Sequence, residues 1–196
     1  KLLTTVTSGA SEFTILGIPA SEFPETPVLT ECEKFSMPQN ILASMIRQTI
    51  FCISTDDTKP VHTGSLFELS ENQIRIVSVD GFRLAVRTEK INNSLTAKFV
   101  VPGKTLSEIL KMLSPESDEN INMCIGRKHI LFEINGYTII SRLLEGDFLD
   151  YRSVIVNASS TEIRINVRNF TDSIERASLL ISDRLKSPVR CVFDKD

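Results

Sequence analysis

Apolar and polar residues alternate along most of the chain, and the alternation gives way twice to a helical spacing. Ile74 and Ile76, then Phe82, Leu84 and Val86, recur at every second position, the period of a strand with one face buried. Strands are predicted over 61–69, 73–79 and 82–88, with Ser70-Glu71-Asn72 as the first turn. Asp80-Gly81 is the second, and Asp-Gly between alternating runs predicts a type I′ hairpin, whose two central residues need positive φ. Upstream, a short strand is expected from Leu29 to about Ser36, and Pro38 suits the first turn of a helix. Leu42, Met45, Ile46 and Thr49 then mark one helical face at i, i+3, i+4 and i+7. Asn40, Ser44, Arg47 and Gln48 fall elsewhere on the wheel.

The scheme repeats. A strand near 97–101 leads through Pro102-Gly103 into a helix from Lys104 to Leu113, with Leu106, Ile109, Leu110 and Leu113 facing inward. Lys104, Ser107 and Lys111 share the opposite side. Strands follow at 121–125, 129–134 and 137–144, separated by Gly126-Arg127-Lys128 and Asn135-Gly136. Residues 29–145 therefore read as two successive β-α-β-β-β units, an α+β arrangement with largely antiparallel sheets and both helices on one side. Ahead of them, 2–7 and 13–18 form a hairpin around Ser8-Gly9-Ala10. Pro19, Pro24 and Pro27 then make an extended connector and a domain boundary.

A longer repeat runs through the chain. Phe13-Thr14-Ile15 matches Tyr137-Thr138-Ile139, and Glu22-Phe23 matches Asp147-Phe148. Ile46 pairs with Ile174, Ile53-Ser54 with Ile181-Ser182, and Pro60-Val61 with Pro188-Val189. The expectation is the tail of one domain over 1–26, a whole domain over 27–146 and the opening of a third over 147–196.

Composition narrows the function classes. Of 196 residues, 41% are hydrophobic and 24% charged, the balance of a globular protein rather than a disordered one. The formal net charge is −3. Proteins that hold DNA by neutralising phosphates carry a basic excess, so tight electrostatic binding is disfavoured. A molecule that encircles the duplex escapes that argument. Cys32, Cys52, Cys124 and Cys191 form no Cys-x-x-Cys pair and are expected as reduced, structural thiols. No apolar run approaches the ~20 residues of a membrane span and no signal peptide is evident, which implies a cytoplasmic location.

Little points to catalysis. His62 and His129 are the only histidines, too few for an ordinary zinc site beside unpaired cysteines. His129 reads as a solvated turn residue, His62 as a packing or partner-contact residue. Asp56-Asp57 and Glu116, Asp118 and Glu119 lie in predicted loops as solvated charge, and no glycine loop of a nucleotide site occurs. No metal and no cofactor are expected.

Four segments resemble one family. Asp80-Gly81-Phe82-Arg83-Leu84-Ala85 is similar to the Asp-Gly-(His or aromatic)-Arg-Leu-Ala segment of the bacterial sliding clamp, the beta subunit of DNA polymerase III. Phe99-Val100-Val101-Pro102-Gly103-Lys104 resembles its strand-Pro-x-Lys helix entry. Glu145-Gly146-Asp147-Phe148-Leu149-Asp150-Tyr151 resembles the junction between its middle and last domains, and Ile18–Pro24 that between its first and middle domains.

The resemblance implies the DNA-clamp fold. It also implies a ring of two head-to-tail protomers around duplex DNA, lined by helices. Arg47, Lys104 and Lys111 would then face the duplex and meet phosphates without reading sequence; Lys59 maps near the family's DNA-contacting loop. A hydrophobic pocket for short linear peptides of DNA polymerase III, the clamp loader and repair polymerases would fall on His62, Val79, Gly81, Phe82, Arg83, Leu84, Leu149, Ser153 and Val154. Leu149 stands where the family usually has proline, and Ser153 where it often has a basic residue, which shifts the preferred peptide. Two other classes remain open: a peptide-binding adaptor of the same fold that never encircles DNA, and an enzyme using Cys52 or Cys124 with His62 or His129.

Overall fold

The computed structural model describes residues 2–25, 27, 29, 31–156, 161–181 and 189–193. The chain divides into two units, Lys1–Leu149 and Asp150–Asp196. The first opens with the antiparallel hairpin β1 (Leu2–Ser8) and β2 (Ser11–Gly17). Next, β3 (Glu33–Pro38) runs directly into α1 (Gln39–Arg47), followed by β4 (Gly64–Ser70), β5 (Gln73–Val79) and β6 (Leu84–Lys90). The same order returns in β7 (Ala97–Pro102), α2 (Gly103–Met112), β8 (Asn120–Ile125), β9 (His129–Ile134) and β10 (Tyr137–Arg142). The two predicted β-α-β-β-β units are present. Pro38 and Pro102 each stand one residue ahead of their helix, ending a strand at φ −60° and −57°. Proline lacks the N–H that a longer ladder would need, so each strand stops there.

The leading strands are exchanged. β3 pairs with β8, from Glu33↔Ile125 to Pro38↔Asn120, while β7 pairs with β4, from Gly64↔Pro102 to Leu69↔Ala97. The sheets are therefore β10-β9-β8-β3 and β6-β5-β4-β7, all antiparallel. Leu42, Met45 and Ile46 of α1 share one core with Leu106 and Ile109 of α2. Phe67, Ile76 and Phe99 enter that core from one sheet, and Met37, Ile121 and Phe132 from the other. The alternation puts Leu66, Val77 and Val79 on the other face of their sheet, where they are also buried. Leu144 N–H donates to Val100 O there at 3.0 Å, so the chain after β10 crosses onto the second sheet.

Several local expectations change. Pro60–Thr63 is a 3-10 turn, and β4 begins only at Gly64; Pro60 cannot donate to a ladder. The Asp80-Gly81 hairpin is not type I′. Its loop runs from Asp80 to Arg83, Val79 pairs with Leu84, and only Gly81, at φ 86°, is left-handed. The two-residue turn with both φ positive is Asn135-Gly136, at 48° and 82°, between Ile134 and its partner Tyr137. Two of the four cysteines differ from expectation, because Cys32 and Cys124 are joined in a disulfide, whereas Cys52 and Cys191 are free thiols. β3–β8 pairing brings these two sequence-distant residues together.

In the second unit a 3-10 turn covers Tyr151–Val154 and α3 spans Val167–Ser178, capped by Asn166 Oδ1 accepting from Asn169 N–H at 3.1 Å. Ile174 lies on α3 as Ile46 lies on α1. Ser182 and Pro188, paired above with Ser54 and Pro60, lie outside the described residues. Among the described residues no helix is long and apolar enough to cross a membrane.

Gly64 marks the tightest point of the exchange. A Cβ there would overlap the Val101 carbonyl and the Leu144 side chain, and a carbonyl held in a ladder has nowhere to go. Gly64→Ala is therefore expected to destabilise the domain by about 1–3 kcal/mol. Urea unfolding reads this as a lower midpoint at unchanged m-value.

Candidate functional site

The loop between β5 and β6 is built by one carboxylate. Asp80 Oδ1 accepts the backbone N–H groups of Phe82 and Arg83 at 3.0 and 2.8 Å. Its Oδ2 accepts Arg83 Nε and Nη2 at 2.8 and 2.6 Å. Arg83's guanidinium, and then the two N–H groups, hold the Asp80 carboxyl below the ordinary aspartate value; the same contact raises Arg83 further. The arginine is thus a fixed cation at the rim of the loop. Phe82 beside it is 98% exposed, so this ring contributes nothing to the core and is available to a guest.

A second loop faces the first. His62 N–H donates to Lys59 O at 2.9 Å, closing the turn that starts at Pro60, and Ser54 N–H donates to His62 O at 2.8 Å. Asp56 accepts from Thr58 N–H and Oγ1 at 2.9 and 2.8 Å, which lowers its pKa; this carboxylate shapes its own loop. The His62 ring meets Phe148 edge-on, centroids 5.3 Å apart. Burial, and then the charge of Lys59, lower its pKa below 6.5, so the ring is neutral in neutral solution.

Between the loops lies a cleft of about 540 Å³ lined by Ile53, His62, Val79, Gly81, Phe82, Arg83 and Leu149, with Asp56, Lys59 and Asp80 at its polar margin. Apolar walls with a few fixed polar groups are what a short peptide or small ligand needs. Of the anticipated pocket residues, six converge here: His62, Val79, Gly81, Phe82, Arg83 and Leu149. Leu84 opens β6 as the register partner of Val79. Ser153 and Val154 belong to the second unit, where Ser153 Oγ donates to Asp150 O at 2.7 Å. Asp80, Ile53 and Lys59 were not foreseen for the cleft; an Asp three residues before an Arg across a glycine was the available signal for the first.

Arg47, Lys104 and Lys111 are exposed on α1 and α2. Lys111 Nζ donates to Glu108 Oε1 at 2.7 Å, an exposed ion pair within α2. Neither cysteine offered for catalysis stands as a free thiolate in this structure. Cys124 is in the disulfide, and burial raises the Cys52 thiol above its usual value despite the Arg83 charge. Among the described residues no group of three or more His, Cys, Asp or Glu side chains converges as a metal site.

Two β-α-β-β-β units that exchange their leading strands around one core define a clamp-type fold. A family model described as "DNA polymerase III beta subunit, central domain" matches residues 36–150. The chain is 34% identical over 192 residues to the beta sliding clamp of Bacillus subtilis, covering 97% of this chain and 50% of that one. It is 36% identical to the beta sliding clamp of Halalkalibacterium halodurans, covering 92% and 48%. The crystal structure of a DNA polymerase III beta subunit from Eubacterium rectale superposes with a TM-score of 0.85 at 37% identity, over 93% of this chain and 50% of that one. The Bacillus subtilis DNA polymerase sliding clamp gives 0.84 at 35%, over 92% and 48%. The chain belongs to the DNA polymerase III beta subunit family, and it spans about half the length of the curated relatives it matches.

The Asp80–Arg83 pair can be tested by itself. A carboxyl whose folded pKa is depressed stabilises its loop above the ordinary aspartate value of about 3.9, and that contribution is lost as pH falls through the lower folded value. Arg83→Ala is expected to move the Asp80 titration upward, toward the ordinary value, in a ¹³C carboxyl NMR titration. An unchanged Asp80 midpoint would show that the guanidinium does not hold it.

Proposed function

We propose that this chain is the central part of a non-catalytic processivity factor: a sliding clamp that encircles duplex DNA and tethers the replicative polymerase through the cleft beside Arg83. The observation that carries the reading is the cleft itself, built from residues that the family resemblance marks as its peptide pocket and present on a domain of that family. Val79, Leu149 and His62 supply apolar contact, the exposed Phe82 ring a lid-like surface, and the fixed Arg83 a donor at the edge. Leu84 belongs to the same assignment. The guests are short linear segments of DNA polymerase III, of the clamp loader and of repair polymerases.

The domain organisation follows the same reading: 1–26 closes a first clamp domain, 27–146 is the middle domain, and 147–196 opens a third. The full-length protein pairs head to tail as a homodimer ring. Arg47, Lys59, Lys104 and Lys111 face the duplex and meet phosphates weakly, in keeping with a net charge of −3. The clamp raises the polymerase's effective concentration at its template, so the chemistry is the polymerase's own. Such a protein works in the cytoplasm and needs neither metal nor cofactor.

In the full-length protein, Arg83→Ala is expected to weaken binding of a polymerase-tail peptide about tenfold or more, and Phe82→Ala by a smaller factor, as read by calorimetry or fluorescence anisotropy. Unchanged affinity in both variants would remove the cleft from the reading and leave the fold assignment standing.

A further inference from the structure

We propose that Cys32 and Cys124 form a reversible thiol–disulfide site whose oxidant is a low-molecular-weight disulfide of the glutathione type. The two residues are linked across 92 positions of sequence, with Cα atoms 5.6 Å apart, well inside the span a disulfide bridges. The register accounts for the meeting. Lys34 lies directly opposite Cys124 in the β3–β8 pair, and Cys32, two positions before Lys34, falls on the same side of the strand's extension.

The surroundings suit exchange with a small thiol. A cavity of about 740 Å³, larger than the cleft beside Arg83, is walled by both cysteines together with Pro27, Leu29, Lys34 and Glu133. Cys32 is half-buried and Cys124 nearly covered, which makes Cys32 the sulfur met first from solvent. Cys52, by contrast, is buried and unpaired, and Cys191 is exposed and unpaired.

The exchange balances without a metal or an enzyme. The Cys32 thiolate attacks the glutathione disulfide, forming a mixed disulfide and releasing one glutathione thiolate. The Cys124 thiolate then displaces the second glutathione and closes the protein disulfide. Two protein thiols are oxidised, one small disulfide is reduced to two thiols, and the two protons pass to the released sulfurs. The link ties Cys32, in the stretch just ahead of β3, to β8. Leu29 already lies so close to Gly126, between β8 and β9, that a Cβ there would strike it. Reduction releases that stretch at the entrance to the domain, so the redox state sets how firmly the preceding chain is tied down.

The test uses the full-length protein, folded, in buffers running from reduced to oxidised glutathione, followed by acid quench, alkylation and peptide mapping by mass spectrometry. The expected result is a Cys32–Cys124 cross-linked peptide that grows through one two-electron transition and disappears when reduced glutathione is restored. The linked form should melt on the order of 5–10 °C above the reduced form, a difference abolished in Cys124→Ser. The proposal is overturned if both thiols stay alkylatable in oxidised buffer, if only separate glutathione adducts form, or if the link survives reduced glutathione as a permanent staple. The mapping is made on the unchanged protein, so it stands even if the variant fails to fold.

Discussion

In the first unit, β3 leaves the strands that follow it in sequence and pairs with β8, while β7 closes on β4. Each half of the domain thus supplies the edge strand of the other half's sheet. Both exchanged strands end in proline and lead at once into a helix, so the helices start from the two sites of exchange and converge on one core. Neither half buries its apolar helix face alone, because Leu42 and Leu106 lie in one core shared by residues of both sheets. The contacts that close the structure are far apart in sequence, an arrangement that ties folding to non-local pairing.

The cleft follows from that exchange. β4 begins at Gly64, where β7 approaches too closely for any side chain, and the turn Pro60–Thr63 is held just ahead of it. The chain after β10 bridges to Val100 on the exchanged strand and carries Phe148 to His62. One wall therefore depends on long-range packing. The other, the Asp80–Arg83 loop, is made by hydrogen bonds within four consecutive residues. A site assembled this way keeps its cation fixed while its apolar floor is as firm as the domain itself.

What could be read from the chain divides along the same line. Local patterns were legible: the alternating strands, the helix faces of Leu42-Met45-Ile46 and Leu106-Ile109, and the proline at each strand end. The strand exchange was not, because alternation records which face is buried and not which strand lies alongside. The same blindness hid the meeting of Cys32 with Cys124. Asp80-Gly81 promised a tight turn, but the aspartate's carboxylate bonds two N–H groups ahead and opens the loop to include Phe82 and Arg83; Asn135-Gly136 is where the two-residue turn falls. Six of the nine anticipated pocket residues line one cleft, and the family resemblance supplied them where periodicity did not.

Electrostatics then limits how the proposed clamp would hold DNA. The exposed helix cations are few, Lys111 is paired with Glu108, and the net charge is −3, too little basic surface for tight phosphate binding. On the proposed reading, retention by shape would resolve this, since a closed ring needs no affinity to stay on a duplex without ends. The most direct measurement is the lifetime of the loaded full-length protein on a closed circular duplex, compared with the same duplex after a single cut. A long lifetime on the circle that collapses on linearisation is predicted; equal lifetimes on both would contradict retention by topology.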